Sequence, residues 1–236
     1  MPDLILPQPP PDAPAPPPGE EALRSRWKMR WVMIVGIACV IFLPLRIGVI
    51  RNGAKSAKET EHNIRQLGMA LREFDTYYGK FPDSSTYQLA WESTASTLDF
   101  GAGSSNDIFK QLFIAEIALS ERMFYANVKS ARRPDNIFNR NATALEHGEC
   151  AFAYIYGLSS KDAADTPLIF GPVSPVTHDF DLSANHGKVL VITVDNSMKT
   201  YALNSAGKII LPNGLDFFEP SQPFWHGKTP DVKWPK

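Results

Sequence analysis

With 236 residues the chain has room for one domain of ordinary size plus appendages. Its formal net charge of −1, with no basic excess and no recognition motif, argues against nucleic acid as a partner. Its two cysteines, Cys39 inside an apolar run and Cys150 in a polar stretch, form neither a disulfide framework nor a Cys/His metal spacing.

Read from the left, "MPDLILPQPPPDAPAPPP" places nine prolines in residues 1–18. Such a stretch forms neither helix nor sheet ladder, and the reading is a disordered, polyproline-II-prone tail over residues 1–26. A basic cluster follows, with Arg24, Arg26, Lys28 and Arg30. Next comes "WVMIVGIACVIFLPLRIGVI", Trp31 to Ile50, whose only charge is Arg46. Twenty residues at about 1.5 Å each match a hydrocarbon core of about 30 Å. Trp27 and Trp31 stand where interfacial anchors would. Residues 27–50 are therefore expected to be a transmembrane anchor. "RIGVIRNGAKSA" offers no small-residue cleavage site, so an uncleaved signal anchor is expected, with the amino terminus inside and the larger part translocated.

Residues 51–236 are expected to form the head, including the soluble half of the same helix. In "NIRQLGMALREFDTYYGKFPD" the residues Ile64, Leu67, Gly68, Leu71, Phe74 and Tyr78 recur at steps of three and four and share one face. Arg72 falls off that face, and replacing it is expected to cost little. Glu61 and Arg65 form an i, i+4 pair. Gly79 supplies a stop, and Pro82 forbids a restart nearby. Tyr77, Tyr78 and Phe81 are expected to pack the base of the helix on a sheet.

"SSTYQLAWESTASTLDFGAGSSND" reads mostly as loop. Asn106 or Asp107 is expected to cap a second helix, "DIFKQLFIAEIAL", with Ile108, Leu112, Ala115 and Leu119 on one face. "SARRPDNIFNRNATALEHGE" reads as a long loop, "CAFAYIYGL" as an alternating strand and "PLIFGPV" as a short buried strand. "GKVLVITVD" and "KTYALN" flank the turn "DNSM" and should pair as a hairpin. The Pro-rich end is expected to be a trailing segment packed by Phe224, Trp225 and Trp234. The fold class is α+β, with one long helix packed on an antiparallel sheet and a second short helix.

The stretch "NIRQLGMALREFDTYYGKFP", with Leu67, Leu71, Tyr78, Gly79, Phe81 and Pro82, resembles the type IV pilin-like and type II secretion pseudopilin-like proteins. More narrowly, it resembles the bacterial group whose long amino-terminal helix ends in a Tyr-Gly-x-Phe-Pro turn. "HGKVLVITVDNSMK" resembles that group's late hairpin, with His186 before the strand and Asp195 in its turn. The likeness spans roughly Trp31 to Leu203. It implies a pilin-like head on a membrane anchor, held in a bacterial inner membrane with a cytoplasmic amino terminus and a periplasmic head. It also implies a structural or assembly role, with other pilin-like subunits, a second copy of the chain or secretion-system components as partners. "KMRWVMIVGIACV" carries neither the Gly nor the Glu of a prepilin processing site. Asn196 stands where the group tends to have Gly; Asn tolerates positive φ, so the turn can form.

No catalytic set emerges from His62, His147, His178, His186 and His226, and there is no HExxH, GxSxG or phosphate-binding loop. "EHGEC", Glu146 to Cys150, puts a Glu, a His and a Cys together but lacks the four ligands of a closed zinc site. Asp179 and Asp181 offer too few oxygens for calcium. The expectation is a non-enzymatic protein without cofactor or metal. The other reading, from a different class, is a membrane-tethered envelope binding module that uses the head for a ligand or protein partner.

Overall fold

The computed structural model describes residues 53–94 and 96–236. The proline-rich tail and the expected anchor lie outside them. Among the described residues no helix is long and apolar enough to cross a membrane.

The first helix, α1, covers residues 53–78. Ile64, Leu67, Leu71 and Phe74 on its apolar face are fully buried, as the three-and-four spacing predicts. Arg65 pairs with Glu61 at 3.1 Å on the outer face. Gly79, at φ +73°, ends the helix, and its N–H donates to the Asp75 carbonyl at 2.7 Å. Helix α2, Tyr87–Thr94, arises where a loop is expected. Its start is set by Asp83, whose Oδ1 accepts from the N–H groups of Ser85 (2.8 Å) and Thr86 (3.2 Å).

Helix α3, Ser105–Ile114, is capped by Ser104 rather than by Asn106 or Asp107: the Ser104 hydroxyl accepts from the Asp107 N–H at 3.2 Å. It also stops earlier than its apolar spacing suggests, so Ala115 lies past its end and Leu119 is 73% exposed. Asn106 is freed from capping by burial. Its amide donates to the carbonyls of Leu145 and Glu146, and its Oδ1 accepts from the Lys236 N–H. Residues 130–149 contain neither helix nor strand, matching the expected long loop.

The sheet is antiparallel throughout. Its strands are β1 (Ala153–Ile155), β2 (Pro167–Gly171), β3 (Lys188–Thr193), β4 (Met198–Ala202) and β5 (Val232–Lys233), in spatial order β4-β3-β2-β1-β5. The first four make a meander. The last, unanticipated in the Pro-rich end, adds to the free edge of β1 with Tyr154 opposite Lys233.

Alternate residues feed two cores, one on each face. Tyr154, Ile169, Leu190 and Ile192 join α1 and α3 in the first. Ala153, Ile155, Phe170, Val189 and Val191 face a second core built from Phe217, Phe224 and Trp225, with Trp234 partly buried beside it. Both faces are covered, so β1 is buried at every position and does not show the polar alternation expected of it. A register shift between Pro167 and Ile169 puts Leu168 and Ile169 in the same core, as a bulge does.

Candidate functional site

The aromatic turn after α1 is a junction for four elements. Phe81 and Pro82 are buried. The Tyr154 hydroxyl on β1 donates to the Pro82 carbonyl at 2.9 Å, and burial holds that phenol well above its ordinary range. The Gln111 amide on α3 donates to the Asp83 carbonyl at 2.8 Å, and the Thr86 hydroxyl donates to Gln111 Oε1 at 2.8 Å. Tyr78 rests on Phe74 with ring centroids 4.5 Å apart, and its hydroxyl shares a 3.0 Å hydrogen bond with Ser93. Tyr77 departs from expectation. It is 71% exposed, because it follows Phe74 by three residues but lies beyond the edge of the buried stripe.

Asp83 is buried, which by itself would raise its carboxyl. Its ion pair with Lys80 and its hydrogen bonds from Ser85 outweigh that and hold it below the ordinary carboxylate value of 3.8. A depressed carboxylate stabilises the fold above the unfolded value and ceases to do so as pH falls through the folded one. Thermal melts of the full chain should therefore show Tm falling as pH drops below about 4, with Asp83→Asn showing a smaller acid-induced fall. A variant that loses as much Tm as wild type would rule out this role for Asp83.

The late hairpin lies along α1. An ideal Cβ at Gly53 would sit 3.9 Å from His186 Cε1, and one at Gly68 would sit 2.5 Å from Asn196 Oδ1. Both ends of the hairpin strand therefore meet the helix, and Gly68 marks the close approach. Asn196 takes φ +65°. The Asn196 N–H donates to Thr193 O at 2.8 Å and Thr193 N–H to Ser197 O at 3.0 Å, which defines a three-residue loop with a left-handed last position. Asp195 shapes it, accepting from the Thr193 hydroxyl (2.5 Å), the Ser197 N–H (2.9 Å) and the Ser197 hydroxyl (2.8 Å). The first of these bonds leads in holding its carboxyl below the ordinary value. His186 is exposed at φ +58°. The motif residues thus serve the turn and the hairpin; they do not converge on one reacting centre.

"EHGEC" is a structural loop entering β1. Arg132 pairs with both Glu146 and Glu149, the latter at 2.8 Å. Burial pushes the Cys150 thiol up to about 11, which disfavours the nucleophilic thiolate. The structure adds a grouping that sequence spacing conceals. Carboxylate oxygens of Glu121, Asp135 and Glu149 lie within 4.8 Å of one another. Glu121 begins a short 3-10 turn, Glu121–Phe124, while Asp135 and Glu149 lie in the long loop. Glu121 and Glu149 are completely buried and Asp135 is exposed. Glu121 Oε1 accepts from the Leu145 N–H at 2.8 Å, while the buried Oε2 has no partner. Burial, and then the Glu149 charge, raise the Glu121 carboxyl above its ordinary value.

Two open clefts stand out among the described residues. One, of about 400 Å³, is lined by Tyr156, Lys161, Asp162, Trp225, His226 and Asp231, among others. The second, of about 480 Å³, includes Lys129, Asp179 and Asp181. Asp181 is already engaged: it accepts from the Lys129 N–H at 3.0 Å and from the Ser183 hydroxyl at 2.6 Å. Comparison of the chain with protein-family models, with curated proteins and with solved structures finds no match.

Proposed function

We propose that this chain is a membrane-anchored, pilin-like structural or assembly protein, an accessory component of a type II secretion or type IV pilus-like system. In this reading it is held in a bacterial inner membrane with its head in the periplasm. The observation that carries the reading is the course of α1. Its described part begins at residue 53, three residues along the chain from the apolar run ending at Ile50, and its apolar stripe is buried within the head. So short a separation along the sequence supports a head held close to a bilayer rather than one on a long tether.

The expected result is that the full-length chain sediments with membranes and resists carbonate extraction, with Met1 or Pro2 as its first residue by mass spectrometry. Recovery of full-length chain in the soluble fraction would end the membrane reading. A mature amino terminus near Trp31 would instead show processing and point to filament entry.

The 400 Å³ cleft favours the second reading, a membrane-tethered binding module, because its mixed lining of aromatic and charged side chains suits a small polar ligand. Cross-linking in membranes separates the two. Self-association ladders or adducts with other pilin-like subunits support the assembly role, and a lone monomer supports the binding module.

A further inference from the structure

We propose that Glu121, Asp135 and Glu149 bind a calcium ion that staples the long loop of residues 130–149 to the turn beginning at Glu121. The starting observation is Glu121 itself. It is fully buried, one of its oxygens is spent on the Leu145 N–H, and the other has no partner. A buried carboxylate oxygen without a donor is costly. Two further carboxylates face it, and like charges so close raise that cost rather than relieve it.

Arg132 offsets only part of this charge. Among the described residues its ion pairs reach Glu146 and Glu149 and leave Glu121 and Asp135 without a cation. A water molecule could donate to Oε2 but would not balance the carboxylates of Glu121 and Asp135. A divalent ion does both.

The donor set and its spread decide which ion. All three ligands are carboxylate oxygens, which select hard cations over zinc or copper. Calcium sits about 2.3–2.6 Å from its oxygens, so two ligands on opposite sides of one ion stand up to about 5 Å apart. The three oxygens, all within 4.8 Å of one another, are close enough together to share one calcium ion. Magnesium demands near-ideal octahedral geometry and gives up its water reluctantly, so an irregular, partly buried carboxylate set suits calcium better. Asp135 is exposed, so water reaches the ion from that side and completes its shell. Glu149 accepts from Arg132 at 2.8 Å and from the Glu146 N–H at 2.9 Å, which fixes its carboxylate without using all of its lone pairs. Asp135 is held likewise by the Ile137 N–H at 2.9 Å. The ligands are thus oriented by neighbours, as metal ligands commonly are. Three carboxylates at a partly open site suit the affinity class of extracellular modules, about 10⁻⁴–10⁻³ M.

The test is calorimetric titration of CaCl₂ into detergent-solubilised full-length chain stripped with EDTA, paired with thermal melts. One calcium per chain and a raised Tm that EDTA reverses are expected. Asp135→Asn, an exposed change that should leave folding intact, is expected to weaken calcium binding by more than about 10-fold, a loss that even outer-shell substitutions produce. Glu121→Gln keeps the acceptor for Leu145 and should do the same. Asp179→Asn, in the separate cleft, should bind as wild type does. No binding by wild type up to about 10 mM calcium would overturn the proposal. So would wild-type affinity in Asp135→Asn, or a preference for magnesium over calcium.

Discussion

Leu71→Asp should leave the head unfolded, or nearly so, in the full-length chain. Leu71 is fully buried in the core shared by α1, α3 and the sheet. Removing its side chain alone forfeits about 2–5 kcal/mol through lost transfer and cavity formation. The carboxylate that replaces it must also leave water. Asp75, one turn along, is an acid as well and is already buried, with its Oδ1 accepting from the Ser160 N–H at 3.0 Å. It offers the newcomer no counter-charge. The combined loss is comparable to a whole domain's stability of about 5–15 kcal/mol.

Limited proteolysis in detergent micelles reads the result: the variant head should be digested at a protease level that leaves wild type intact. Arg72→Asp provides the comparison. It is exposed, but its Nη1 donates to the Val194 carbonyl at 3.2 Å, so it braces the end of β3 against α1. Its loss should cost about 1 kcal/mol, more than an ordinary surface change and far less than Leu71→Asp. Equal digestion of the two variants would show that α1 does not bury this face.

Gly171→Ala should be the most damaging single-methyl change in the sheet. An ideal Cβ at Gly171 would lie 2.7 Å from the Ala151 carbonyl oxygen and 2.7 Å from Phe152 Cδ1. The first is backbone, which also accepts the Val173 N–H at 2.9 Å, and the second belongs to a fully buried ring. Neither can swing aside, so the strand or its neighbour must move. The expected loss lies at the upper end of the roughly 1–3 kcal/mol typical of overpacking.

Gly68→Ala serves as the contrast. Its Cβ would meet Asn196 Oδ1 at 2.5 Å, the free end of a side chain in an outward turn, and Ile192 Cγ2 at 3.1 Å. A rotated Asn196 relieves the closest contact, and replacing a helical glycine with alanine returns up to about 1 kcal/mol. Thermal or urea melts of the two variants should therefore separate clearly. A Gly171→Ala protein as stable as Gly68→Ala would refute the close approach of β2 to residues 151–152.

Much of the helical layer was legible in order along the chain. The buried stripe from Ile64 to Phe74, the stop at Gly79, the β3–β4 hairpin and the positive φ of Asn196 follow from local rules: side-chain period, backbone freedom and turn chemistry. Those rules need only a few neighbouring residues, so sequence alone determined these features. Helices α2 and α3 also start on local bonds, from the Thr86 N–H to Asp83 Oδ1 and from the Asp107 N–H to the Ser104 hydroxyl, which a polar, Gly/Ser-rich stretch conceals. Tertiary contacts decided the rest. The early end of α3 left Leu119 outside an apolar pattern that would have continued through it. Strand β5 has no sequence signal of its own; it forms because β1 offers an unpaired edge. The acidic cluster is the clearest case. Glu121, Asp135 and Glu149 are separated by loop residues with no fixed period, so only the path of the folded chain brings their carboxylates together.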